Sequence, residues 1–184
     1  FCSGVGNFND DTHFDLLSAL QKSIRGSDPD AAVFYVVKLL ELGELLSVCR
    51  RLQVIASEDI GLAYPMAASI TYACCMSARE LGMPEAQIPL SNATIMLATA
   101  PKSNSAYSAA AAAHEDIQRG LGIKIPVHLQ SPLFKGYKYP HDYPGHYVRQ
   151  QYLPDDLIGR KYYIPGENKT ETAAAEYAKR IKGE

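Results

Sequence analysis

Charge gathers at two short corners of this sequence, Lys22-Ser23-Ile24-Arg25-Gly26-Ser27-Asp28 and Ala56-Ser57-Glu58-Asp59-Ile60-Gly61. A turn between helices needs only a glycine and a capping residue. The surplus is a set of cations and carboxylates, with Arg50 and Arg51 lying just before the second corner. Such a set can close on itself as an ion-pair network that locks the corners. It can also offer arginine forks to phosphates or to a partner subunit, a bidentate geometry that lysine lacks. Glu58 and Asp59 fall at the C-terminal end of an expected helix, where the dipole disfavours negative charge. A cation is therefore expected beside them, from Lys22, Arg25, Arg50 or Arg51. Ser27, Asp28, Lys102 and Asn104 complete the polar corner set, the last two from a third corner, Pro101-Lys102-Ser103-Asn104.

A second candidate is the run Gly136-Tyr137-Lys138-Tyr139-Pro140-His141-Asp142-Tyr143. Rings interleaved with cations can stack bases and track the phosphates of a single strand, which makes Tyr137, Lys138, Tyr139 and His141 a possible DNA or partner arm. Asp142, Asp155 and Asp156 dilute that charge, and the same rings could pack on the chain's own domain. His13 stands beside Asp15 at a helix start, which suits capping or, with a nucleophile, base chemistry. His141 and Asp142 with His146 could hold a metal, but on a Pro-Gly loop without an obvious third ligand. There is no G-x-x-x-x-G-K-[ST], no G-x-G-x-x-G, no H-E-x-x-H and no G-x-S-x-G. The chain is not expected to hydrolyse ATP, to be an enzyme by itself, or to carry a cofactor or metal.

Bulk properties narrow the class. The 184 residues suit one domain with a real core, and 47% hydrophobic with 21% charged content is that of a globular chain. A net charge of -2 leaves no global positive field, so any nucleic-acid contact must be local. Cys2, Cys49, Cys74 and Cys75 form no C-x-x-C pair and read as reduced thiols of a cytoplasmic protein. No apolar run reaches membrane-span length, and no signal peptide is visible.

The elements that must position these residues are helices. Thr12-x-x-Asp15 resembles a capping box, and Phe14, Leu17, Ala19, Leu20 and Ile24 recur at helical spacing up to a left-handed stop at Gly26. Asp28-Pro29 opens a second helix, ended by Gly43, and a third is expected from Leu45 to Glu58. Pro65 opens a fourth, with Ala67, Ile70, Ala73, Cys74, Ser77 and Leu81 on its inner face. Pro84 opens a fifth, with Ile88, Ala93, Met96 and Leu97 apolar and Pro89 kinking or restarting it. The alanine-rich run Ser105 to Arg119 makes a sixth. From Ile123 to Gly166 helical periodicity stops. Six prolines exclude a long helix or central strand there, and seven of the twelve tyrosines fall between Tyr137 and Tyr163. Those rings are expected to pack, with hydroxyls at the rim. A last helix is expected from about Thr170 to Lys182. The result is an all-α fold with a long irregular Pro/Tyr-rich arm. We expect a linker at 1–11, a helical oligomerisation domain at 12–122, the arm packed on it at 123–169, and a terminal helix at 170–184.

The corners, taken in order, resemble one family, the C-terminal region of the replication-associated recombination protein A group (RarA or MgsA) and the related Werner helicase-interacting protein. The matching pieces begin with His13-Phe14-Asp15, the corner Lys22 to Asp28, Arg50-Arg51 and the corner Ala56 to Gly61 with Pro65. They continue with Ala100-Pro101-Lys102-Ser103-Asn104 and Tyr107, Pro126 with His128-Leu129, Tyr137-Lys138-Tyr139-Pro140-His141 and Gln151-Tyr152-Leu153-Pro154. One departure is the short stretch Gln130 to Lys135, where the family carries a longer basic loop. The resemblance implies a collar-like helical bundle, similar to the C-terminal domain of clamp loaders, from a DNA-dependent AAA+ ATPase acting at stalled replication forks. ATP and Mg would belong to a part upstream of Phe1, consistent with a chain that starts inside a longer product. It further implies a homotetramer, contact with DNA forks or single-/double-strand junctions, single-strand-binding protein as partner, no membrane, and a nucleoid-associated cytoplasmic location. Two rival readings use the same residues: a protein-binding adaptor that never touches DNA, and a small metal-dependent hydrolase built on His13, His141, Asp142 and His146.

Overall fold

A computed structural model describes residues 10–132 and 134–184. The expected linker lies, apart from its last two residues, outside the described residues, as does Cys2. The chain is all-α, and no strand occurs among the described residues. It forms two compact units, the first ending at Asn104 and the second spanning Ser105–Glu184.

The first unit contains α1 (Asp10–Arg25), α2 (Pro29–Glu41), α3 (Leu45–Ile55), α4 (Met66–Leu81) and α5 (Gln87–Thr99). Helix α1 begins two residues before Thr12, which therefore sits inside the first turn instead of capping it. Its end shows a finer correction. Gly26 does not take the left-handed position; Ser27 does, at φ 59. The Asp28 amide donates to the Ser23 carbonyl at 3.0 Å, closing a Schellman-type end one residue later than expected. Gly26 instead relieves a close approach, since a Cβ there would lie 3.2 Å from the Lys22 carbonyl. Asp28 then caps α2, its Oδ1 accepting from the Ala31 amide at 2.9 Å, with Pro29 in the first turn.

The core is one apolar cluster to which all five helices contribute. Leu20 and Ile24 meet Val36 and Leu39, Val48, Leu52 and Ile55, Ala67 and Ala78, and Leu90 and Leu97, all fully buried. Each large aliphatic chain removed from water contributes roughly 1.5–3 kcal/mol. On α4 the buried face is Ala67, Thr71, Cys75 and Ala78, while Leu81 is exposed. The expected face was rotated because α4 carries so many small residues that its apolar stripe is weak. Phe14 and Ile88 are likewise exposed, and Pro89 sits in the first turn of α5, where its missing N–H leaves no gap. Helix α5 accordingly starts at Gln87, not at Pro84. Cys49 and Cys75 are buried free thiols, and Cys75 donates to the Cys49 carbonyl at 3.5 Å. Among the described residues no helix is long and apolar enough to cross a membrane.

The second unit contains α6 (Ser105–Gln118), the arm, and α7 (Lys169–Lys182). The arm is extended chain broken by single 3-10 turns, as its prolines dictate. Its interior is unlike the first. Leu157 is the one large apolar side chain buried there among the described residues, whereas Asp116 and Glu171 are both buried. Asp116 accepts from Arg160 Nε at 2.7 Å and Nη2 at 3.3 Å, and from the Tyr162 hydroxyl at 2.8 Å. Glu171 accepts from the Ser105 and Tyr163 hydroxyls and from Asn168, which in turn caps α7 by accepting the Glu171 amide at 2.9 Å. The expectation of packed rings holds in part: Tyr147 and Tyr162 are half-buried, but Tyr137, Tyr139, Tyr143, Tyr152 and Tyr163 are exposed. A segment of extended chain and single turns spreads its rings over a surface and cannot fold back to cover them.

The Tyr162 hydroxyl and the Arg160 guanidinium hold the Asp116 carboxyl below its usual range. A lowered folded value means that Asp116 adds stability above the ordinary carboxylate pKa, and that this is lost as pH falls through the lowered value. Thermal melts of the chain and of Asp116→Asn should therefore differ at pH 7, the native chain melting higher. The gap should narrow as the pH drops below about 4.

Candidate functional site

The corners expected to carry function meet at one end of the first unit. Helix α3 does not run on to Glu58 as expected. After Ile55 the backbone widens into a π-helical turn, Ala56–Ile60, with the Gly61 amide bonded to the Ala56 carbonyl. Such turns insert a residue and re-aim side chains, and they recur at functional positions. Here the turn delivers Asp59 inward, 5% exposed, and leaves Glu58 half-buried.

Asp59 is satisfied on three sides. Its Oδ1 accepts from Arg25 Nε at 2.6 Å, its Oδ2 from Gln21 Nε2 at 3.1 Å, and its carbonyl from the Ser103 amide at 2.8 Å. The same Gln21 nitrogen donates to Glu58 Oε2 at 2.7 Å, while Gln21 Oε1 accepts from Arg51 Nη1 at 2.8 Å. Arg25 Nη2 lies 3.7 Å from Glu58. Two arginines and two carboxylates thus balance around one buried amide. Lys102 closes the third corner. Its ammonium donates to the Ala98 and Ala100 carbonyls at 3.0 and 2.6 Å and to the Ser27 hydroxyl at 3.1 Å. A cation at the C-terminal end of α5 complements the helix dipole. Burial pulls the Lys102 ammonium below its usual pKa, and the Asp59 charge opposes that. Gly61, at φ +48, passes so close that a Cβ would stand 3.0 Å from the Ser103 carbonyl.

Of the corner residues singled out in the sequence, Arg25, Ser27, Arg51, Glu58, Asp59 and Lys102 come together, and Asp28 caps α2 beside them. Lys22, Arg50 and Asn104 are exposed, and their side chains enter no hydrogen bond or ion pair among the described residues. Gln21 and Ser103 were not anticipated. The signal for Gln21 was its place four residues before Arg25, which puts both on one helix face. A neutral amide attracts no notice until its neighbours are seen.

On the arm, Tyr139 and His141 lie ring to ring with centroids 5.1 Å apart, and His141 Nδ1 faces His146 Nδ1 at 3.2 Å. Lys138 is held by its backbone, which Gln150 clasps from both sides: the Lys138 amide donates to Gln150 Oε1 at 3.2 Å and Gln150 Nε2 donates to the Lys138 carbonyl at 2.8 Å. Tyr137 is exposed. His13 lies in the first unit, 3.3 Å from Glu44. Among the described residues no group of three His, Cys, Asp or Glu side chains could hold a metal ion, so Asp142 joins no ligand set with His141 and His146.

The sequence matches the family described as MgsA AAA+ ATPase C terminal over residues 26–182. It is 48% identical to Replication-associated recombination protein A of Bacillus subtilis (strain 168), an alignment covering 94% of this chain and 44% of that protein. The protein of the same name from Escherichia coli (strain K12) is 36% identical over 84% of the chain and 37% of its own length. ATPase WRNIP1 of Dictyostelium discoideum is 35% identical over 83% of the chain and 19% of its own length. The chain therefore spans less than half of each of these relatives.

Two variants test the network. Gln21→Ala strips a donor from both carboxylates and an acceptor from Arg51, and should lower unfolding stability by about 1–3 kcal/mol. Lys22→Ala, the next residue on the same helix, should cost less than about 0.5 kcal/mol. Denaturant titration separates the two. Gly61→Ala forces a strained backbone and a close contact at once, and should lower the denaturation midpoint by the equivalent of about 1–3 kcal/mol.

Proposed function

The chain belongs to the MgsA AAA+ ATPase C-terminal family, and on that premise we propose that it is a non-catalytic assembly module of a replication and repair ATPase. It brings copies of the parent protein together as a homotetramer and contributes to engaging DNA forks or single-/double-strand junctions. ATP and Mg are handled by a part of the parent outside this chain, which has no P-loop of its own. The same reading gives the parent DNA-dependent ATPase activity, single-strand-binding protein as a companion on DNA, and a nucleoid-associated place in the cytoplasm.

The observation that carries the assembly half is the uncovered apolar surface of the second unit. Ile117, Ile123, Ile125, Val127, Ile158 and Ile164 are all more than half exposed, Ile123 at 80%, in a unit that buries a single large aliphatic chain among the described residues. Scattered single exposures are ordinary, but Ile123, Ile125 and Val127 fall within five residues, up to the start of the 3-10 turn at Val127, and all three are exposed. A second copy covering such a surface supplies the apolar burial that the unit does not find within itself.

Light scattering across a concentration series should give a mass near four times that of the chain. The double variant Ile123→Lys with Ile125→Lys should shift it to smaller species while far-ultraviolet circular dichroism stays unchanged. A native chain that is monomeric at every concentration would remove self-assembly from this reading.

A further inference from the structure

A groove of about 600 Å³ opens in the second unit between residues 149–153, the turn at Ile158 and Gly159, Lys161, and the last turn of α7. Its volume is that of a small-ligand site. Arg149, Lys161 and Lys182 line it, and no acidic residue does. These three cations are exposed, and none of them enters an ion pair among the described residues. Three uncompensated cations on one groove contrast with a whole-chain charge of -2. They form a local anion site that the bulk charge hides.

The groove also holds a ring. Tyr152 is 51% exposed, and its hydroxyl accepts from Gln150 Nε2 at 2.8 Å. The other proton of that amide goes to the Lys138 carbonyl at 2.8 Å, so Gln150 is fixed and fixes the ring in turn. An exposed aromatic held in one orientation loses little freedom when something stacks on it. A free phosphate would use the cations and ignore the ring, and an apolar peptide would use the ring and leave the cations unpaired. A duplex keeps its base faces stacked internally. A single strand offers both phosphates and open base faces.

We propose that this groove holds a single-stranded DNA segment, with a base on Tyr152 and phosphates at Arg149, Lys161 and Lys182. The assignment rests on the fork-engaging reading above and locates its DNA contact. Arg149, Tyr152 and Lys161 lie in the arm expected from the sequence, and Gln150 joins them to Lys138.

Fluorescence anisotropy with a labelled oligothymidylate, titrated with the full chain over a salt series, tests it. The native chain should bind, with affinity falling as salt rises. Tyr152→Ala should weaken binding about ten-fold or more, and Tyr152→Phe, which keeps the ring, should not. The double variant Lys161→Gln with Lys182→Gln should flatten the slope of log affinity against log salt by about 1.4, at roughly 0.7 per phosphate contact on a single strand. Lys169→Gln serves as the charge control and should bind like the native chain. If the native chain binds and both groove variants bind equally well, with an unchanged salt slope, the groove is overturned and fork engagement stands elsewhere. If the native chain binds no single strand at any salt, the groove and the DNA half of the reading fall together. Tighter binding to a duplex of equal length would also overturn the assignment. Should Tyr152→Ala fail to fold by circular dichroism, the lysine pair decides alone.

Discussion

Asp59 sits almost out of reach of water at the point where α3 gives up its α-helical pattern. A carboxylate in that position costs several kcal/mol unless it is paired and hydrogen-bonded. Everything around it is arranged to that end. Arg25 comes from the corner after α1, Glu58 and Asp59 from the corner after α3, and Lys102 and Ser103 from the chain after α5. The C-terminal exits of these three helices come together and are bonded to one another. The extra charge in the corners follows from this. A glycine and a cap would turn each helix, but would not hold the three turns in register with each other.

The second unit solves the same problem with different materials. With one large aliphatic chain buried among the described residues, it draws little on apolar burial, and two buried acids organise it instead. Asp116 ties the end of α6 to Arg160 and Tyr162, and Glu171 ties the start of α6 to the start of α7 through Ser105, Asn168 and Tyr163. Hydrogen-bonded carboxylates fix geometry well but add little net stability, because each must first be desolvated. Such a unit is ordered without being well covered. Its aliphatic and aromatic surface remains outside.

Helix count and most boundaries were legible, because Pro29, Gly43, Gly82 and Asn168 act locally through fixed φ, positive φ or a side-chain cap. What tertiary contact decides was not legible. The residues Ala56 to Glu58 are good helix material, and nothing local says that the turn widens there; the pull of Arg25, Gln21 and Ser103 on Asp59 is invisible until α1 and α5 are in place. Ser27 takes the left-handed position next to a glycine that could have taken it, and its hydroxyl meets Lys102 from a distant corner. The face of α4 was misjudged because alanine, threonine and cysteine bury as readily as isoleucine when helices approach closely. Arginine and aspartate announced the network by charge, while the neutral Gln21 at its centre did not. On the arm, aromatic content alone does not say whether a ring packs inward or stays at the surface.

The two clusters of charge differ in a way that bears on function. Around Asp59 the charges cancel, and each arginine is already committed. A phosphate that took the Arg25 Nε proton from Asp59 would strand a buried carboxylate, at a cost of several kcal/mol that one surface phosphate contact does not return. In the groove of the second unit nothing has to be displaced: Arg149, Lys161 and Lys182 have no carboxylate to leave. A cation that is already paired stabilises a fold, and a cation left unpaired on a concave surface attracts a partner. By that criterion the corners that first drew attention hold the first unit together, and the groove of the second unit is the proposed place of contact.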